Sequence, residues 1–251
     1  MYLFEKDRCI LLSGNQNFKY HESCESIGDQ IRRYPLHPSQ IHLWELEIPE
    51  ELCIIGGCRA GPVDEMKLGT PRDAARFFPK VVLHRLRSYI LASYLSCNPG
   101  EVRLSYGKYG QPIVDTPSCP YTFSTSYSGK NWMLAISHEN LVGVDIEQIK
   151  EIPDLISIAH RLFHTEELNL IISLPPIEQT QAFFNLWTLK EAYLKATGKG
   201  WSGWESLPNI THCISGSPAG PHWTCHRIGE YRAFLMTSSM ICRAIVSCPR
   251  H

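Results

Sequence analysis

Three observations predict an α+β fold. Short runs at 41–48, 121–125, 132–137, 141–147 and 231–237 read as strands, and residues of 41–48 and 142–147 divide between two faces. Apolar residues recur every three or four positions at 81–95 and 183–200, which marks amphipathic helices. A proline-rich connector at 115–120 divides the chain, and the second half repeats the order of the first: strands, helices, strands. The predicted organisation is a lead-in or extension at 1–40, an N-terminal half at 41–115, and a C-terminal half at 120–247 that carries the chemistry.

Residues 1–40 are polar and irregular after the short Ile10-Leu11-Leu12 run. The strand at 41–48 puts Ile41, Leu43, Glu45 and Glu47 on one face and His42, Trp44, Leu46 and Ile48 on the other. A short element is expected at 51–55. Thr70-Pro71 reads as an N-cap with proline at the first helical position, and Pro79 is expected to end or kink that helix. The helix at 81–95 stops at Asn98-Pro99-Gly100. A short strand at 102–106 is followed by a turn at 109–112. Strands flank Ser128-Gly129, helices follow at 154–163 and 166–173, and Pro175-Pro176 breaks the second of these. The tail holds strands at 222–227, 231–237 and 240–247.

With a net charge of −1 and 20% charged residues, the chain has no global basic field for nucleic acid or an anionic membrane. No apolar run reaches transmembrane length. Charges at Glu5, Lys6, Asp7 and Arg8 interrupt what would be the apolar core of a signal peptide, so a cytoplasmic protein is expected. The 10 cysteines form no CxxC pair and read as reduced thiols. His212, Cys213, His222, Cys225 and His226 match no zinc-site spacing and fall in a loop-rich stretch.

Three stretches carry chemistry. On the helix at 183–200, Trp187, Glu191 and Lys195 stand at i, i+4, i+8 and share a face, with Lys190 one position away and Gly198 as the stop. On the strand at 142–147, Asp145 and Glu147 project to one face while Val144 and Ile146 point into a core. Two adjacent carboxylates repel unless a cation lies between them, and a hard divalent ion with oxygen ligands suits them. Taken alone, the same pair also suits an exposed strand end. The hydroxyl-rich stretch at 123–129, with Ser124, Ser126 and Ser128, suits a loop that meets an anion.

Together these stretches resemble the Sfp-type 4′-phosphopantetheinyl transferases. The family pattern G-[VI]-D-[IV]-E stands here as Gly143-Val144-Asp145-Ile146-Glu147. The pattern [FW]-[ST]-x-K-E-[AS]-x-x-K stands as Trp187-Thr188-Leu189-Lys190-Glu191-Ala192-Tyr193-Leu194-Lys195. The resemblance covers roughly 41–247 and is strongest at 121–201. It implies two similar α+β halves in a pseudo-two-fold arrangement, with coenzyme A and Mg²⁺ in the cleft between them. It implies transfer of the phosphopantetheine arm of coenzyme A to a serine of an apo acyl or peptidyl carrier protein, with adenosine 3′,5′-bisphosphate released. The metal ligands would be Asp145, Glu147 and Glu191. Lys195 and Lys190 would contact phosphates, and Glu191 or a metal-bound water would take the serine proton. No covalent enzyme intermediate is needed, and a monomer serving fatty-acid, polyketide or peptide synthesis is expected.

The chain departs from the family in three places. The family's S-H-S-G is Ser126-Tyr127-Ser128-Gly129 here, so Tyr127 keeps a donor but loses a positive charge. Its G-K-P is Gly110-Gln111-Pro112. Each lost cation would weaken coenzyme A binding by roughly 1–3 kcal/mol if its contact is direct. The arginine segment that grips the 3′-phosphate is shortened, leaving Arg72, Arg76, Arg85 and Arg87, of which Arg76 is singled out by its distance from the Arg87 helix. Two other functions are compatible with the same residues: a metal-dependent phosphate-ester hydrolase, and a non-catalytic binder of carrier proteins.

Overall fold

The structure, a computed structural model, describes residues 2–5, 8–11, 23–38, 40–47, 71–116, 119–138, 140–214, 220–238 and 240–249. The element expected at 51–55 and the cap at Thr70 lie outside them. The chain is α+β, as predicted. β1 (Tyr2–Glu5) and β2 (Arg8–Leu11) form a hairpin, followed by α1 (Ser23–Arg33) and β3 (Gln40–Glu47). α2 (Pro71–Leu95) precedes a small hairpin of β4 (Leu104–Tyr106) and β5 (Pro112–Val114). Then come β6 (Tyr121–Ser128), β7 (Asn131–His138) and β8 (Asn140–Gln148). Three helices follow, α3 (Leu155–Leu162), α4 (Thr165–Ser173) and α5 (Pro176–Thr197). A 3-10 turn (Gly200–Ser206) and the short α6 (Thr211–Ile214) lead to β9 (Gly220–Ile228), β10 (Tyr231–Thr237) and β11 (Ile241–Pro249).

Alternation along β3 decides how the layers stack. Ile41 and Leu43 point to one side and meet Met133, Val144, Phe234 and Ile245, so two sheets pack face to face there. Trp44 points to the other side and meets Leu86, Ile90 and Tyr94 of α2. One sheet runs β2-β1-β3-β7-β6 and the other β8-β11-β10-β9. α5 covers the outer face of the second sheet, with Leu186, Leu189 and Ala192 packed among Leu235, Ala244 and Val246. The order of layers is therefore helix, sheet, sheet, helix. Arg243 of β11 and Glu45 of β3, 2.6 Å apart, tie the two sheets together.

Three expectations change. Part of the lead-in expected at 1–40 is built into the first sheet, because Tyr2–Glu5 pairs with residues 40–43 and with Arg8–Leu11. Short strands carrying charges at Glu5 and Arg8 give little alternation to read. The chain passes between sheets at 138–140 rather than at 115–120, since β6 and β7 pair with β3 and only β8 joins the second sheet. Pro79 does not end the first long helix, which runs unbroken from Pro71 to Leu95. Proline removes one hydrogen bond there, and the buried stripe at Leu83, Leu86, Ile90 and Leu91 offsets that loss.

Candidate active site

The site forms where β8 passes between β6 and α5. Val144 and Ile146 turn into the core between the sheets, so Asp145 and Glu147 turn the other way, toward α5. α5 lies against β8 because of Gly143, where a Cβ would overlap the carbonyl of Ala192 and the amide nitrogen of Ala196. That close approach is why glycine precedes the two carboxylates. From α5, Trp187, Glu191 and Lys195 descend on the face that meets them. The helix ends on Gly198 in the left-handed conformation, φ +64°.

Asp145 is almost fully buried. Its Oδ1 accepts from Lys195 Nζ at 2.7 Å and from the Ser126 hydroxyl at 2.7 Å, and Lys195 also donates to Ser126 at 3.0 Å. Its Oδ2 is buried with no hydrogen-bond partner. Glu147 accepts from Ser128 at 3.0 Å and from the Trp187 indole at 3.3 Å. Glu191 is the group left short of partners. Burial first, then the charges of Asp145 and Glu147, push its carboxyl up to about 7 against the opposing pull of Lys195. Glu147 is likewise raised, by burial and then by Asp145.

These carboxylates offer hard oxygen ligands, and the unpartnered Oδ2 of Asp145 leaves a donor free, so the set suits a divalent cation. Among the described residues, no three His, Cys, Asp or Glu groups are gathered closely enough to hold a metal ion as they stand. The Lys195 ammonium lies on Asp145 Oδ1, and Ser128 and Trp187 donate to the two oxygens of Glu147.

The hydroxyl-rich stretch is a strand rather than an anion-binding turn. Ser124, Ser126 and Ser128 alternate along β6 and face β8, where Ser124 accepts from the Val144 amide at 3.1 Å and Ser128 from the Gln148 amide at 3.1 Å. Tyr127 therefore points away from Ser126. It lines a pocket of about 290 Å³ with His84, Arg87 and Tyr106. Arg87 Nη2 lies 2.8 Å from His84 Nδ1, and Arg87 Nε is buried without a partner. Burial lowers both groups' affinity for their protons. Thr125 joins this pocket to a second cleft of about 220 Å³, lined by Gln111, Glu191, Lys195 and Trp201. Gln111 donates to the Lys195 carbonyl at 3.4 Å and so steadies the last turn of α5. Arg76 lies within α2, and its side chain is outside the described residues.

Lys190 is not at the site. It is 2% exposed and turns to the opposite side of α5, where its ammonium lies 3.0 Å from Glu167, itself fully buried. One residue on an α-helix is a rotation of 100°, enough to carry Lys190 off the face that Glu191 and Lys195 share. Trp187, on the face shared with Glu191 and Lys195, donates to Glu147.

Residues 141–230 match the model of the 4′-phosphopantetheinyl transferase superfamily. The same region is similar to proteins described as 4′-phosphopantetheinyl transferases. Similar proteins include a putative 4′-phosphopantetheinyl transferase of Synechocystis sp., 36% identical over 134 residues, which cover 53% of either chain. The 4′-phosphopantetheinyl transferase HetI of Nostoc sp. is 39% identical over 117 residues, 46% of this chain and 49% of the relative. The 4′-phosphopantetheinyl transferase Sfp of Bacillus subtilis is 33% identical over 135 residues, 51% of this chain and 58% of the relative. The matches thus span about half the length of these curated relatives. No described helix is long and apolar enough to cross a membrane.

Proposed function

We propose that this chain transfers the 4′-phosphopantetheine arm of coenzyme A to a serine hydroxyl of an apo acyl or peptidyl carrier protein. The observation that carries this reading is that Glu191 and Lys195 line one cleft, with the buried Asp145 bonded to Lys195 behind them and Glu191 pushed up to about 7. The serine oxygen attacks the phosphorus that bears the pantetheine arm. The bond from that phosphorus to the bridging oxygen breaks, and adenosine 3′,5′-bisphosphate leaves with the electron pair. Glu191, which lines the cleft beside Lys195, is placed to take the serine proton. Lys195 is a third exposed and reaches the cleft, so its ammonium can meet phosphate oxygens and stabilise the departing charge.

Asp145, Glu147 and Glu191 would hold Mg²⁺, which when bound neutralises charge on the pyrophosphate. The pocket of Arg87, His84 and Tyr127 would take the outlying 3′-phosphate, with His84 supplying the imidazole that position 127 lacks. Arg87 is favoured over Arg76 for this role. The helix-sheet-sheet-helix order supports a pseudo-two-fold relation between the halves. A mass-shift assay on an apo carrier protein tests the function: Asp145→Ala and Glu191→Ala should each lower transfer by about 100-fold or more while the chain stays folded. Unchanged transfer in either variant would sink the assignment. Release of the bisphosphate from coenzyme A without a carrier would assign the site to hydrolysis instead.

A further inference from the structure

The second wall of α5 holds a built charge network that the transfer reaction does not use. Glu167 Oε1 accepts from Lys190 at 3.0 Å and from the Ile210 amide at 2.8 Å, and its Oε2 accepts from the His164 amide at 3.0 Å. Lys190 also donates to the Pro208 carbonyl at 3.2 Å. One buried pair thus binds α5 to the start of α4 and to the segment before α6. A buried ion pair is a poor source of net stability, because apolar side chains of the same volume often serve as well. What directed bonds add is a fixed geometry.

α5 has a use for that geometry. Its contact with β8 is made by Gly143 against the backbone around Ala192 and Ala196. That contact sets how closely the helix approaches, and apolar packing on β10 and β11 holds it to the sheet. The directed bonds that reach β8, however, come from the site residues Trp187 and Lys195 themselves, so a bond from the far side of the helix gives its roll an independent anchor. Glu191 follows Lys190 directly in the chain, so a lysine held in place sets the direction in which Glu191 leaves the helix. We infer that Glu167 and Lys190 are positioning residues, fixing the roll of α5 so that Glu191 and Lys195 face Asp145. This inference rests on the transferase reading of that site.

The test uses the full chain with Mg²⁺. Melting temperature, coenzyme A affinity by calorimetry and transfer rate to an apo carrier are compared for the wild type and three variants. Glu167→Gln with Lys190→Met removes both charges together and so leaves no lone buried ion. The expected result is a folded protein with transfer lowered tenfold or more and coenzyme A affinity lowered threefold or more. Lys190→Arg keeps a donor to Glu167 and should hold both within about threefold. A merely structural pair would move the melting temperature and leave rate and affinity alone. Should the double variant not fold, Glu167→Asp decides, since it keeps both charges and shortens the link by one methylene. Wild-type rate and affinity in the folded double variant, or in Glu167→Asp, overturn the inference. A wild type that binds coenzyme A without transferring it overturns the functional reading, and the affinities of the variants still judge the pair.

Discussion

The two walls of α5 hold glutamates in opposite circumstances. Glu167, packed against one wall, has no exposed surface and is saturated by an ammonium and two backbone amides. Glu191, on the other, has two carboxylates for neighbours and is pushed up to about 7. Both are acids packed at one helix, Glu167 fully buried and Glu191 half-buried at the cleft, and the supply of donors divides them further. A carboxylate surrounded by donors is a structural element. A carboxylate deprived of them keeps its appetite for a proton or a cation.

The sharpest way to break this contrast is to take away the donor on the first wall. Lys190→Met leaves Glu167 without its ammonium and should cost about 3–5 kcal/mol. Thermal unfolding should then begin roughly 6–20 °C lower, at the few degrees per kcal/mol of a chain this size. The next effect lies in the other half of the molecule, where His42 shows both circumstances in one ring. Its Nδ1 lies 2.7 Å from the Tyr94 hydroxyl, and its Nε2 is buried without a partner. Burial first, then the charges of His37 and the chain amino group, lower its proton affinity from 6.5 to about 4. The unfolded chain therefore takes up this proton before the folded one does. Stability from the neutral ring is whole above pH 6.5 and is lost as pH falls toward 4, by at most about 3 kcal/mol. Denaturant melts across that range should show the slope, and His42→Gln should flatten it.

Glu191→Gln tests the deprived acid. Its folded proton affinity is raised, so the charged carboxylate destabilises the metal-free chain as pH rises from 4.5 through 7. The amide should stabilise the metal-free protein at pH 8 by about 1–2 kcal/mol after solvent screening, and change little below pH 4.5. Transfer should be lost in the same variant. The smallest effect belongs to Trp187→Phe, which removes one donor from Glu147 and leaves most of the packing. About 1 kcal/mol of stability and a several-fold fall in transfer are expected, read by melting and by the carrier mass shift.

Much of this contrast is written in the sequence, but only one side of it. The spacing of Trp187, Glu191 and Lys195 fixes their common face, and the alternation at 142–147 fixes the direction of Asp145 and Glu147. Their meeting follows once α5 lies on β8. Lys190 is a different matter. Local spacing shows that it leaves the helix elsewhere, yet its partner Glu167 lies 23 residues earlier on another helix, and no periodicity points to it. The serine stretch hides its role for a similar reason. Small hydroxyls suit turns and strands equally, and what decides is the amide of a neighbouring strand. The pocket at Arg87 is assembled from α2, β4 and β6, so no single stretch displays it.

The hydroxyls of β6 have one more effect. β6 ends the five-stranded sheet and β8 ends the four-stranded one, so each would present a row of unpaired backbone groups to any passing strand. They lie against each other instead, and serine side chains take the Val144 and Gln148 amides that a foreign strand would seek. The same seam that gathers the acids thus guards the protein against edge-to-edge aggregation. Alanine at Ser124 and Ser128 would leave both ladders intact while depriving the Val144 and Gln148 amides of their acceptors beside the active site.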